Sequence, residues 1–538
     1  MNNIEIFTDY DMVVSITEKT VNDQIAHLIN IGMIKPEFIV TQKIVGSDYE
    51  FAVLDSAAQV PRDKDGQPLQ AYIDGQIEPR LAISQSGSSV TFVLNFQSGT
   101  AYLWTGFGPA AKLTRYDIGG WSYGINVNLD LKVLADDDKG KVPANIWDML
   151  HEFRVDMFDV LHLFVDFEST DLTKFDPAYT TTKGSGDVGS QQLAAFMEFY
   201  LEFLVKTGSP YILGYSPNAT PATKYGENWQ VPDILRPVGT TFTVYHDPRH
   251  AGLSNLNFVL ATKGGHRGIL GSPGVFDTNW ITPDEQCDAK MIYSHACLIE
   301  GLILQPFFNA FSNRVYAQVA GHINVSRGND YRRARTAMPT GFRYSISEID
   351  YGHDQYVNYY SVNIVNSQDK VDLNFSGHLA FYKEIDKYIG IDPLGHNCKA
   401  YAKGSIDWSG TISLQATKDS KGHATLALAR AFRIDRHDAD QHVDTALEIF
   451  SWIAGAIDKI LGALDDFGLP HGLLEQVFDT LLKTPVPGIG DLSIAFASMG
   501  NSVANAVILP AGPVFFFKNP AADPAANLSL ELTYKSVS

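Results

Sequence analysis

Hydrophobic and polar residues alternate along much of this chain, and the alternation predicts a protein built mainly of antiparallel strands. In segment 122–133 every second residue is apolar, with Asn, Asp or Lys between most of them. Segments 89–96 and 162–168 have the same period of two. That period with one polar face is typical of strands buried on one side only. We therefore expect a sheet over about 51–134 that packs one face on a core and leaves the other in water.

Later segments repeat the strand pattern, and other segments have the period of a helix. The predicted strands after residue 311 are 313–326, 356–365, 371–382, 408–417, 423–432, 505–517 and 527–535. Further predicted helices are 144–152, 444–464 and 472–483. Runs of strands with a few separate helices predict an α+β fold.

Two longer helices are predicted in the first half of the chain. The segment 15–31 has one apolar face; Ser15 and Glu18 fit a capping box, and Gly32 fits a helix stop. The segment 191–206 has a wide apolar stripe. Its aromatic residues are Phe196, Phe199, Tyr200 and Phe203. Such a stripe fits core packing or the wall of an apolar groove.

The stretch 254–311 is the predicted centre of the second half. It contains a short apolar strand, a loop with five glycines at 264–274, a second strand, and a helix over 296–311 that is apolar on nearly every face. Pro306 should kink or end this helix near Gln305. A helix that is apolar all round is buried or contacts lipid. The groove residues predicted here are Leu302, Phe307 and Phe308.

Length and charge limit the domain organisation and the partners. With 538 residues, two or three domains are expected. We predict an N-terminal module over 1–209, a crossing segment over 210–240 that is rich in Pro and Gly, and a C-terminal module over 241–538. The charge is 41 − 61 = −20, which repels nucleic acid.

The N-terminal sequence has no basic region followed by an apolar one, and no apolar run is long enough to span a membrane. We expect synthesis in a cytosol, and any release without a classical signal peptide. The three cysteines, Cys287, Cys297 and Cys398, are too few for a disulfide framework.

Two clusters contain metal-ligand residue types, but neither has a known ligand spacing. The first is His246, Asp247 and His250; the second is Asp435, His437, Asp438, Asp440 and His442. The 264–274 glycines lack the Lys-Ser/Thr end of a phosphate loop, and no nucleophile elbow is present. No catalytic residue, cofactor or metal is therefore predicted.

One compact basic cluster stands out in this acidic chain. Its members are Arg327, Arg332, Arg333 and Arg335. Guanidinium groups bind phosphate and carboxylate in a bidentate manner. The cluster fits an anionic lipid headgroup or an acidic partner, and it equally fits a solvated strand edge with internal salt bridges.

The order of features in 254–311, from LNFVLAT through the glycine loop and NW to the apolar helix and QPFF, carries a resemblance. It is similar to the P-forty-seven and OrfX accessory proteins of clostridial neurotoxin gene clusters. The N-terminal TDYDMVVSITEKTVNDQI, with its Val21-Asn22 pair, also resembles that family's opening. The resemblance implies a tubular lipid-binding (TULIP) fold, in which long curved antiparallel sheets wrap around long apolar helices in two modules.

Three functional hypotheses follow. The first is a non-enzymatic protein that binds lipid or another long apolar ligand, as an accessory component of a bacterial toxin or secreted complex. The second is a protein–protein assembly component or insecticidal toxin subunit with no small ligand. The third is a metal-dependent enzyme that uses His246 and His250 or the 435–442 cluster.

Overall fold

The chain is rich in strands and has few helices in the part that the structure describes. A computed structural model describes residues 5–46, 48–106, 111–133, 158–167, 175–207, 211–219, 237–262, 273–305, 307, 332–338, 341–350, 355–367, 369–389, 396–418, 424–443 and 514–535. Twenty strands in these ranges form three antiparallel sheets. The predicted α+β, strand-dominated class is confirmed at this coarse level.

The first sheet has eight strands, in the order β3-β2-β4-β5-β7-β8-β9, with β6 paired to β5. Their bounds are β2 Glu37–Val45, β3 Asp48–Val53, β4 Ala71–Ala82, β5 Ser89–Thr105, β6 Lys112–Asp117, β7 Ser122–Val133, β8 Phe158–Asp166 and β9 Ile212–Ala219. The predicted alternation holds in β7, where Ile125 and Val127 are buried and Asn126 and Asn128 are exposed. One face of this sheet therefore packs on the core, as expected.

The second sheet joins distant parts of the chain around β1, Met12–Thr17. Its order is β10-β11-β1-β12-β20-β19. The other bounds are β10 Pro237–Tyr245, β11 Asn255–Thr262, β12 Ala289–Tyr293, β19 Val514–Ala522 and β20 Leu528–Lys535. Both faces of β1 are buried, because Met12, Val14 and Ile16 enter the main core and Val13 enters a smaller one. The division into modules at 209 and 241 stays a prediction.

The third sheet is a meander of six consecutive strands, β13 to β18. Their bounds are β13 Arg332–Met338, β14 Gly341–Asp350, β15 Gln355–Ser367, β16 Lys370–Ile389, β17 His396–Lys418 and β18 Ala424–Val443. The strand predicted over 423–432 thus continues to Val443. Each strand of this meander pairs antiparallel with the next one along the chain.

The helix α1 spans Glu18–Asn30, and its N-cap is not the predicted residue, Ser15. Thr17 is the cap, and its hydroxyl accepts the Thr20 N–H at 3.1 Å. Ser15 lies inside β1, while the Glu18 carboxylate accepts the Ile83 N–H at 2.7 Å. The strand runs directly into the helix, so the capping position moves two residues. The predicted stop at Gly32 is confirmed by its φ of +77°.

The helix α2, Gly186–Thr207, begins five residues before its predicted start at 191. The apolar helix predicted over 296–311 is a π-helix, Ala296–Leu304. The Glu300 N–H donates to His295 O at 2.8 Å, the five-residue step of that geometry. The described part of the chain therefore does not show long apolar helices at the centre of the fold. The predicted elements 144–152, 313–326, 444–464 and 472–483 lie outside the described residues.

Candidate functional site

The hairpin of β2 and β3 has one apolar face that is buried at its base and exposed at its tip. Cross-strand pairs on this face are Val40–Val53, Gln42–Phe51 and Ile44–Tyr49. Val40 is fully buried, whereas Ile44 is 49% and Tyr49 is 59% exposed. Side chains of a cross-strand pair lie in contact distance, so Ile44 and Tyr49 form one apolar patch, the hairpin tip.

The base of the same face packs on the aromatic stripe of α2. The Phe51 ring meets Phe196 edge-on, with centroids 5.3 Å apart, and stacks on Phe199 at 5.4 Å. Phe51 and Phe199 are only partly buried. The apolar contact surface therefore continues from the closed core, through two half-open aromatic rings, to the hairpin tip.

The remaining predicted residues of α2 lie beside this contact. Tyr200 packs on Phe38 at 4.8 Å, and burial raises the pKa of its phenol to about 12, so it is uncharged at neutral pH. Phe196 is fully buried and Phe203 is half-buried. We call Ile44, Tyr49, Phe51, Phe199 and Phe203 the apolar surface.

The predicted groove residues of the π-helix region lie against a different sheet. Phe307 is buried in an aromatic cluster with Tyr360, Phe375 and Trp408 of the third sheet. Leu302 is buried in the same continuous core. Phe308 lies outside the described residues. Phe307 therefore packs on the third sheet, and of the predicted groove residues only those of α2 contribute to the apolar surface.

Three of the four predicted arginines lie on β13, the terminal strand of the third sheet among the described strands. Arg332, Arg333 and Arg335 belong to β13 and pair in register with Ser347, Ile346 and Tyr344. Arg327 lies outside the described residues. The edge position agrees with the solvated-edge interpretation as well as with a headgroup contact.

The cluster around His246 is a hydrogen-bonded junction between chain segments. His246 Nδ1 lies 2.7 Å from Ile83 O, and the Ser86 hydroxyl accepts the His246 N–H at 2.8 Å. The Asp247 carboxylate accepts the backbone N–H groups of Arg249 and His250, each at 2.9 Å. With Asn279, these bonds hold the pKa of Asp247 below its ordinary range despite the burial that opposes them. The arrangement orders the turn between β10 and β11.

The residues 435–442 lie on β18. The Asp435 carboxylate is paired with Arg433 Nε at 2.8 Å. Burial raises the pKa of the Cys287 thiol to about 12 and raises that of Cys297 further, so both thiols are protonated at neutral pH. Within the described ranges, no three His, Cys, Asp or Glu side chains converge as a metal site requires.

Sequence reasoning missed the hairpin tip. The signal was present in KIVGSDYEF, where apolar residues flank a turn at Gly46, whose φ is +66°. Ile44 and Tyr49 become an adjacent pair only once that turn fixes the register.

Among the described helices, none combines the length and apolarity needed to cross a bilayer.

Comparison with solved structures gives a weak likeness. No family model and no curated protein match the sequence. The solved structure of P47 from Clostridium botulinum A2 is similar with a TM-score of 0.42 and 10% identity, over 97% of each chain. A likeness of this size does not establish membership of that family.

Proposed function

We propose that this chain is a non-enzymatic binding protein that holds a lipid or another long apolar molecule against the apolar surface. The observation that supports this proposal is the exposed Ile44–Tyr49 pair. The pair lies on the same face of the hairpin as Val40, which is buried, and Phe51, which packs on α2. An acyl chain on this face would cover both tip residues and the open edges of the Phe51 and Phe199 rings. Full burial of a large apolar side chain is worth roughly 1.5–3 kcal/mol, so half-exposed residues gain roughly half of that each.

The test is native mass spectrometry of the full chain after incubation with a bacterial lipid extract. We expect one or more lipid adducts on the wild type. Ile44→Ser with Tyr49→Ser should remove most of the adduct, because the variant loses the apolar tip. Tyr359→Ser is the matched control: Tyr359 is 43% exposed on a strand of the third sheet and should leave the adduct unchanged.

No adduct on the wild type, or equal adducts on the wild type and the tip variant, would contradict the proposal. Circular dichroism separates lost binding from lost folding. The tip residues are exposed, so their replacement should leave the melting temperature nearly unchanged.

A specific observation favours a second candidate, a protein–protein assembly component. β3 is the terminal strand of the eight-stranded sheet and pairs only with β2 among the described strands. An unpaired edge can accept an extended segment of another chain. Hydrogen exchange should then slow in β3 on addition of the product of a neighbouring gene. The accessory role in a toxin complex rests on the sequence resemblance alone.

A further inference from the structure

The outer face of the third sheet carries an array of mainly hydroxyl, amide and arginine side chains. Register fixes three neighbouring rows across the strands. They are Tyr359–His378–Asp407–Arg436, then Ser345–Ser361–Ser376–Ser409–Arg433, then Arg343–Asn363–Asn374–Thr411. The opposite face carries the buried Tyr360, Phe375 and Trp408, so the array faces away from the core.

The array has one large aromatic side chain in the open, Tyr359, which is 43% exposed. Its ring lies 5.3 Å from the ring of His378. His378 Nδ1 in turn is 2.7 Å from the Asp407 carboxylate, which fixes the orientation of the imidazole. The Tyr359 ring is therefore in contact with His378 and remains partly accessible to a ligand.

The charge of the array differs from that of the whole chain. Its described carboxylates are already paired, Asp407 with His378, Asp435 with Arg433, and Asp372 with Lys370 at 2.9 Å. Arg343 and Arg436 are exposed and have no ion-pair partner among the described residues. In a chain of net charge −20, the three rows thus offer two open guanidinium groups, and their one carboxylate, Asp407, is paired with His378.

We propose that this outer face binds an acidic oligosaccharide. Sugar hydroxyls both donate and accept hydrogen bonds, as the serine, threonine and asparagine rows require. The Asn363 Oδ1 atom is sheltered from solvent and has no hydrogen-bond partner among the described residues. The Tyr359 ring suits the apolar side of a sugar ring. The Arg343 fork suits a carboxylate, which supplies the charge complementarity.

The spacing fits a short chain of sugars instead of one ring. Tyr359 and Asn363, the register partner of Arg343, are four residues apart on β15. At a rise of about 3.4 Å per residue, that separation is about 14 Å. A ligand that reaches both Tyr359 and Arg343 must cross the serine row between them.

Other classes of partner fit this face less well. A single-stranded nucleic acid needs several aromatic side chains for stacked bases, and Tyr359 is the one large aromatic side chain exposed among the described residues of this face. A protein partner needs large apolar anchors, and Tyr359 is the one large apolar side chain exposed among the described residues of this face.

The test applies the labelled full chain to a printed array of sialylated, uronate-containing and neutral oligosaccharides. We expect retention on acidic oligosaccharides and little on their neutral counterparts. Tyr359→Ser and Arg343→Gln should each weaken the retention by about tenfold, since each removes one principal contact. Tyr49→Ser, on the first sheet, is the matched control and should bind as the wild type does.

A third variant tests whether a loss of binding could come from misfolding. Ser376 is exposed in the middle of the serine row, so Ser376→Glu should fold normally and repel an acidic sugar. Retention on no oligosaccharide would overturn the proposal, as would equal retention by Arg343→Gln, Tyr359→Ser and Ser376→Glu. Stronger binding of a single-stranded oligonucleotide than of any oligosaccharide would also overturn it.

Discussion

At the residue scale, Glu18 is a half-buried carboxylate that accepts one backbone N–H and lies near Arg80 and His246. Burial raises its pKa above the ordinary value of 4.5, against the opposing effects of the Ile83 N–H, Arg80 and His246. The ionised form therefore costs folding free energy at neutral pH, and that cost disappears as the pH falls through the raised pKa. Its position in the first turn of α1 stabilises the charge, but less than burial penalises it.

We therefore expect Glu18→Gln to melt at a higher temperature than the wild type at pH 8. Glutamine keeps an oxygen that accepts the Ile83 N–H and removes the buried charge. The difference should shrink as the pH falls through the raised pKa, because the wild-type carboxyl then takes up a proton. Melting curves from pH 8 to pH 4.5 measure this; a constant difference would show that charge burial is not the cause.

Asn22 joins α1 to the end of β4 through both ends of its side-chain amide. Nδ2 donates to Leu81 O and Oδ1 accepts the Leu81 N–H, both at 2.8 Å. Asn22→Asp keeps the acceptor, loses the donor and places a carboxylate beside a carbonyl oxygen. We expect a loss of about 1–3 kcal/mol in unfolding free energy, measured by denaturant titration.

Asn30→Asp is the matched control, because Asn30 is exposed at the end of α1. A charge there should cost only a few tenths of a kcal/mol. Equal losses in both variants would show that the Asn22 contact is not the cause. The Val21-Asn22 pair was visible in the sequence, but its partner Leu81 is 59 residues away and no local pattern identifies it.

At the element scale, the packing of the third sheet includes a close contact between the backbone of Gly377 and the ring of Trp408. A Cβ atom at Gly377 would lie 2.0 Å from the Trp408 ring, opposite it in register. Gly377→Ala must therefore displace Trp408 from its cluster with Phe307 and Tyr360. We expect a loss of about 1–3 kcal/mol or more, with a shift in tryptophan fluorescence.

Gly252→Ala is the matched control, since nothing lies within 4 Å of a Cβ there. It should leave the melting temperature and the fluorescence within error of the wild type. A similarly mild result for Gly377→Ala would contradict the packing argument. Combining Gly377→Ala with Trp408→Phe should restore part of the loss, because the smaller ring leaves room for the added methyl group.

Elements with strong local periodicity were predictable, and those fixed by distant contacts were not. The alternation of β7 and the apolar stripe of α2 needed only their own residues. The cap of α1 was misplaced because β1 extends through Ser15 to Thr17, and β1 is defined by its partners β11 and β12. The π-helix has the composition of an α-helix, so no pattern distinguishes its five-residue hydrogen bonds.

The residues of the candidate site likewise fall into those predictable from local periodicity and those fixed by distant contacts. The aromatic residues of α2 were predicted because they repeat at helical spacing. Phe51 was missed because it reaches α2 only through the register of the β2–β3 hairpin, and Tyr49 was missed because that register pairs it with Ile44. The predicted groove residue Phe307 packs on a different sheet, and this separation depends on how three sheets share one core and not on any single segment.

At the scale of the whole molecule, the second sheet connects the N-terminal, central and C-terminal parts of the chain. β1 lies between β11 and β12, and β20 extends the sheet on the far side of β12. A fragment of residues 1–209 would leave both edges of β1 unpaired. It would also expose Met12, Val14 and Ile16, at roughly 1.5–3 kcal/mol for each side chain.

We therefore expect the 1–209 fragment to lack cooperative thermal unfolding, although it coincides with a predicted module. Co-expression with 210–538 should recover a soluble complex, because the second fragment supplies β11, β12 and β20. Circular dichroism melting and size-exclusion chromatography measure the two outcomes. A monomeric 1–209 fragment with a sharp melting transition would instead show that the module folds by itself, and that the second sheet assembles only after both modules have formed.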